Sequence, residues 1–220
     1  MSTKGLVLAA SIAALGAAAC GSDNPKATVT GTVGGVKVTA GDAVSTTLTL
    51  DASVSVAAVA ITNFADSCTK FTANQEPKNG QLLLMAVGDF DAANGKVTPA
   101  ATAGTFSVWA GGKCSTTTAT SCYINGDCPS GETCAFTALP PAKVAVVTYG
   151  ASDATCKAIA AQSGRGASGT VTITKIEAGA ITGTFDVSLS TGDRLTGTFG
   201  TSSCPGFAGF FTSTTPSTCI

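Results

Sequence analysis

The sequence predicts an all-β protein, an antiparallel sandwich or barrel-like meander of about ten strands with one or two short helical turns and a disulfide-stapled insertion. Three observations predict it. Residues 168–200, SGTVTITKIEAGAITGTFDVSLSTGDRLTGTFG, alternate apolar and polar residues through three successive segments, the period of strands with one face on a core and one in water. The composition is skewed toward Thr, Ala, Gly, Ser and Val with only 11% charged residues and a net charge of -1. That balance fits a folded β-domain and carries neither the signature of disorder nor a nucleic-acid footprint. The third observation is the set of nine cysteines, four of which crowd at 114, 122, 128 and 134 in a stretch poor in apolar residues.

Within residues 168–200, Val171 and Ile173, then Ile181, Phe185, Val187 and Leu189, then Leu195 and Phe199, mark the buried face. Threonines dominate the other. Glu177-Ala-Gly-Ala and Ser190-Thr-Gly-Asp supply the reversals, giving an antiparallel meander.

The elements before it follow in order. Residues 1–19 carry one early lysine, Lys4, an apolar run from Leu6 to Leu15 and a small-residue end, the architecture of a secretory signal and too short for a membrane span. The join AAAC at 17–20 predicts a lipoprotein signal with Cys20 as the lipid attachment residue; cleavage after Ala17-x-Ala19 is the competing reading. Parity favours lipidation, because removing Cys20 from nine cysteines leaves an even eight for disulfides in an oxidising compartment. Residues 20–26 form a polar tether, and residues 27–220 a single β-domain of about 200 residues, long enough to bury a core.

Residues 27–40 predict a hairpin, strands 29–33 and 36–38 meeting at Gly34-Gly35. Residues 44–50 make a third strand, and 54–61, nearly all Val and Ala, a fourth covered on both faces. Residues 63–74 predict a helical turn with Asp66 as its cap and Cys68 and Phe71 on one face; residues 150–162 repeat the idea with Asp153 and Cys156. Together with strands 81–87 and 143–149 these hint at a weak internal repeat. Residues 88–104 predict a loop and 105–110 a strand carrying the sole tryptophan. Residues 111–141 lack alternation and predict a finger held by its own bridges. The tail through Phe207, Phe210 and Phe211 to Cys219 predicts a segment tied down by that cysteine.

The motifs AAAC at 17–20, AGTFSVW at 103–109, CYINGDCPSGETC at 122–134, GTVTITKI, GTFDVSL and DRLTGTFG give the chain its resemblance to uncharacterised cysteine-rich bacterial outer-membrane lipoproteins, of the kind abundant in myxobacteria. The resemblance implies a β-rich fold in the cell envelope, on the outer membrane, and brings no catalytic residue with it.

Chemistry-bearing candidates are few. The chain has no histidine, which removes the usual Ser-His and Cys-His pairs and the commonest metal ligand. Gly164-Arg-Gly-Ala-Ser-Gly169 matches a dinucleotide-loop spacing but leads into a strand, so a flexible loop is expected. Zinc on the finger cysteines would need thiolates, and an oxidising compartment favours bridges. Asp89, Asp91 and Asn94, and Asn125, Asp127 and Glu132, are oxygen-rich clusters short of a full calcium loop. Asp66 and Asp153 are expected as caps, not as an acid-base pair.

No cofactor, metal site or catalytic residue is therefore predicted. The expected function is a non-enzymatic envelope lipoprotein with a binding or structural role. An assembly or transport accessory, or a carboxylate- or metal-dependent enzyme, are the alternatives. The expected disulfides join Cys114, Cys122, Cys128 and Cys134 among themselves and Cys68, Cys156, Cys204 and Cys219 among themselves, each set open to three connectivities. The finger's Tyr123, Ile124 and Phe136 are the candidate recognition residues for a protein or glycan, and the membrane is reached only through the lipid.

Overall fold

The computed structural model describes residues 27–50, 52–123, 127–136 and 138–220; the leader, the tether, Cys20, Asn125 and Ile124 lie outside the described residues. In chain order the elements are β1 (Thr28–Thr30), β2 (Thr32–Val33), β3 (Val36–Lys37), β4 (Asp42–Thr49), β5 (Ser55–Thr62), α1 (Ser67–Thr72), β6 (Gln75–Glu76), β7 (Gln81–Asp91), β8 (Lys96–Pro99) and β9 (Gly104–Val108). They continue with β10 (Gly112–Cys114), β11 (Ser121–Cys122), β12 (Cys134–Ala135), β13 (Lys143–Ala151), β14 (Gly164–Glu177), β15 (Ala180–Leu189), β16 (Arg194–Gly200), β17 (Ser202–Ser203), α2 (Gly206–Thr212) and β18 (Thr218–Cys219).

Eleven strands form one curled sheet, a half-barrel, in the order β1-β16-β15-β14-β9-β13-β7-β5-β4-β17 with β8 beside β7. The sheet is mixed, and the expectation of purely antiparallel pairing needs that correction: β9 runs parallel to β13 and β17 parallel to β4. The meander β14-β15-β16 stands as expected. Its first reversal uses Ala178 and Gly179, both at positive φ (49° and 83°), the pair of values a tight hairpin requires.

Alternation decides which side chains meet. On the inner face Val59, Ile61, Leu83, Met85, Phe106, Val147, Val171, Phe185, Val187, Leu195 and Phe199 pack into one cluster, each worth roughly 1.5–3 kcal/mol of burial. On the outer face Thr28, Thr198, Thr184, Thr172 and Thr105 stand in register across five strands. At the two ends of that row the hydroxyls meet, Thr28 with Thr198 at 3.0 Å and Thr105 with Thr172 at 3.2 Å. Strand β5 is covered on both sides, as its unbroken Val and Ala predict: Ala57, Val59 and Ile61 face the inner cluster, while Val56, Ala58 and Ala60 join Phe71 and Phe207 in a second one.

The sheet is drawn round by a buried polar seam. Ser45 Oγ on β4 lies 2.6 Å from Thr201 Oγ1 and 2.7 Å from Gly179 O, and Thr201 Oγ1 accepts from the Ile181 N–H at 2.8 Å. Both hydroxyl-bearing residues are buried, so this pairing is what makes their burial tolerable.

Several local expectations are corrected. Gly31, at φ 139°, separates β1 from β2, so residues 29–33 are not one strand. Residues 88–104 are not loop: β7 runs on to Asp91 and turns through Gly95 into β8, because Asp91 folds that turn by accepting from Ala93 N (2.9 Å). Residues 164–169 are strand, the start of β14, and Gly164 and Arg165 pair directly with Tyr149 and Thr148 of β13 where the short β9 has ended. Asp66 does not cap α1 with its side chain; it sits at φ 56°, and the Ser67 N–H donates instead to Asp42 Oδ2 at 2.8 Å. Residues 150–162 hold a turn in place of a cysteine-bearing helix: Asp153 Oδ1 accepts from the N–H groups of Thr155 (2.7 Å) and Lys157 (3.0 Å), leaving only a 3-10 turn at Ala160–Gln162. The proposed repeat falls with it, since one copy is helix and the other is not.

Candidate functional site: a disulfide-framed cleft

Eight cysteines close four bridges: Cys68–Cys204, Cys114–Cys128, Cys122–Cys134 and Cys156–Cys219, with Cα–Cα separations of 5.5 to 5.7 Å inside the usual range. The two sets stay separate, as short loop closure predicts for the finger. No bridge crosses between them.

The finger folds as a three-stranded sheet, β11-β10-β12. It leaves the domain through Gly111 at φ 79°, where a Cβ would stand 2.4 Å from Cys122 O and 2.8 Å from the Tyr123 ring, a place open only to glycine. Sulfurs of Cys114, Cys122 and Cys128 lie within 4.8 Å of one another. All three are bonded in bridges, so the cluster is two packed disulfides and offers no thiolate to a metal.

Of the three candidate recognition residues, the structure brings Tyr123 and Phe136 together around Trp109, with ring centroids at 5.9 and 4.9 Å. Tyr123 is laid down rather than displayed. Arg165 stacks over its ring at 5.0 Å and donates to Ser121 O at 3.0 Å. Its hydroxyl is buried with no partner among the described residues, and that burial raises its pKa above the ordinary tyrosine value. Phe136 is 42% exposed and Leu139 69%.

The carboxylates are consumed locally. Asp89 pairs with Lys143 at 2.9 Å. The Asn94 side chain, and then the Ala93 N–H, hold the Asp91 carboxyl below its ordinary value. Hydrogen bonds from the Thr117 N–H and hydroxyl, then the Thr116 N–H, do the same for Glu132, and those from Thr155 and Lys157 for Asp153. Asp127 Oδ2 accepts from the Tyr123 N–H at 2.7 Å. These are turn-forming contacts.

The site that sequence reasoning missed lies elsewhere. On the outer face of β7 and β13, α1 and α2 and the turn at 152–163 enclose a cleft of about 310 Å³. Its walls are Phe64, Phe71, Phe210 and Phe211; its floor includes Leu82, Leu84, Thr148 and Gly150. Phe71 packs against Phe210 at a tilt, with centroids 4.9 Å apart, and Phe211 meets Phe210 edge-on at 5.6 Å, so the aromatic wall is one packed unit. The helices exist to carry it: Phe207 and Phe71 are both buried against the second cluster.

Both long-range bridges join elements in or beside this wall. Cys68 lies on α1 and Cys204 just before α2; Cys156 lies in the turn at 152–163, and Cys219 on β18, which pairs with β6 carrying the lining residues Gln75 and Glu76. The spacing of Phe207, Phe210 and Phe211 beside two cysteines was the signal available in the sequence. No protein-family model matches the chain, no curated protein matches it, and no solved structure matches it.

Proposed function

We propose that this chain is a cell-envelope lipoprotein, held at the outer membrane through a lipid on Cys20, whose β-domain binds a ligand in the aromatic cleft. One observation carries the reading: the disposition of the cysteines. The eight after Cys20 pair among themselves, which supports a separate task for Cys20, and two of the four pairs frame the cleft. A rim cross-linked in this way has little freedom left to lose when a ligand enters, which favours binding over a purely structural role. The cleft's volume falls in the range of small-molecule sites, and its apolar walls with a few polar groups fit that use.

The test is the intact mass of the purified protein and its partition in a detergent extraction. A mature chain beginning at a diacylated Cys20 and entering the detergent phase is expected. An unmodified Cys20 thiol on a chain that stays in the aqueous phase overturns the anchor.

A second reading rests on the exposed Phe136 and Leu139: the finger contacts a protein or glycan beyond the membrane. Replacing residues 111–141 by a short Gly-Ser link should then abolish a crosslinked partner while the domain stays folded.

A further inference from the structure

We infer that the cleft takes an uncharged or cationic amphiphile, an apolar body ending in a hydroxyl or an amine, and rejects carboxylates; this rests on the reading of the cleft as the binding site. The body follows from the walls. Phe64, Phe71, Phe210 and Phe211 with Leu82 and Leu84 leave only carbon facing most of the space. A volume of about 310 Å³ is roughly that of ten waters, which suits a ligand of about ten to fifteen heavy atoms.

The polar end follows from what is left unpaired. Ser152 Oγ already accepts from the Gly80 N–H and Ser163 Oγ donates to Ile159 O. The Gln81 amide is used up by Thr39 and Lys37. The side chains of Thr148 and Gln75 make no hydrogen bond to a described residue, and Glu76 offers a carboxylate of which one oxygen accepts from Ser217 Oγ at 3.1 Å. These three are the polar side chains free to meet a ligand on the outer face; Tyr149 also lines the cleft, but its side chain is buried in the inner cluster.

The sign of the ligand's charge follows from Glu76. It is the sole carboxylate among the described lining residues, none of which is a lysine or arginine. Lys70 on α1 is committed elsewhere, donating to Ala65 O at 2.6 Å, and Lys78 and Lys157, close to lining residues in sequence, are not among the lining residues. A ligand carboxylate would be stripped of water beside another anion with nothing to replace its hydration. An ammonium would find both a carboxylate and aromatic faces.

The experiment titrates three eight-carbon amphiphiles, octan-1-ol, octylammonium and octanoate, calorimetrically into the mature full chain in lipid nanodiscs, with empty nanodiscs subtracted. The alcohol and the amine are expected to bind, with octanoate at least tenfold weaker. Glu76→Gln should erase the amine's advantage over the alcohol while keeping alcohol binding. Ala158→Trp, which adds bulk at an exposed lining position, should abolish both. Octanoate binding as well as the amine overturns the ligand class and leaves the cleft a binding site. Silence from all three compounds, or unchanged binding in Ala158→Trp, overturns the cleft reading itself.

Discussion

The finger and the cleft rim are both tied by two disulfides, yet the bridges do different work. Those of the finger close loops of 14 and 12 residues in a segment whose own strands are two or three residues long. Those of the rim span 136 and 63 residues; the longer joins α1 to the start of α2, which already share an apolar cluster around Phe71 and Phe207, and the shorter ties the turn at 152–163 to β18. In the chain-entropy picture the rim bridges remove about 5 and 4 kcal/mol of unfolded-state freedom and the finger bridges about 3 each. Cross-links therefore substitute for a core in one region and fix the geometry of an existing one in the other.

The sharpest way to break that comparison is to open the rim. Replacing Cys68 and Cys204 by alanine should lower the unfolding free energy by up to about 5 kcal/mol in a denaturant titration. A loss below about 1 kcal/mol would mean that the aromatic cluster holds the helices without the bridge, against the chain-entropy expectation.

Replacing all four finger cysteines by alanine should behave differently. The finger loses about 3 kcal/mol of local order per bridge, read as new proteolytic cuts within residues 111–141, while the melting temperature of the domain stays put. A drop as large as that of the rim variant would make the finger part of the core.

Arg165→Ala probes the hinge between the two regions, because Arg165 holds Tyr123 and Ser121 while its ladder partner Thr148 lines the cleft. Loss of the stack and the hydrogen bond should weaken finger docking by about 1–2 kcal/mol. Faster amide exchange confined to residues 111–141 is the expected reading, and unchanged exchange there refutes the docking role.

The smallest effect concerns Tyr149, whose buried hydroxyl has no partner among the described residues and whose pKa burial pushes up to about 12. Tyr149→Phe should gain about 1 kcal/mol by removing an unsatisfied donor. The pH sign follows from the raised value. Below the unfolded tyrosine value of about 10 both states keep the proton. As pH rises from there toward 12 the unfolded chain ionises first and stability falls. The phenylalanine variant should lose less stability across that window; an identical alkaline profile would discount the group.

What the sequence made legible was whatever alternation encodes. The meander, the doubly covered β5 and the partition of the cysteines follow from local pattern and loop length. The partner of β9 did not, since a parallel pairing with β13 is set by curvature of the whole sheet. Nor did the cap of α1: Asp66 has the right residue type, but Asp42, twenty-five residues before Ser67, supplies the acceptor for the Ser67 N–H. The cleft was hidden for the same reason. Phe64, Phe71, Phe210 and Leu84 are ordinary apolar residues in three separate segments, and only long-range packing, with a bridge across it, brings them to one wall.

Those bridges also bear on how the chain matures. Not one of the four joins cysteines that are neighbours in the sequence: Cys68 must pass over the whole finger and Cys156 to reach Cys204, and inside the finger the two bonds interleave. An oxidase that coupled thiols in their order of emergence during synthesis would begin by joining Cys68 to Cys114 and produce no native bond at all. The two rim bonds have to wait for Cys204 and Cys219 near the end of the chain, or be recovered by reshuffling, on a scale of seconds to hours. Yield in a host without a disulfide isomerase should therefore be limited by scrambled monomers.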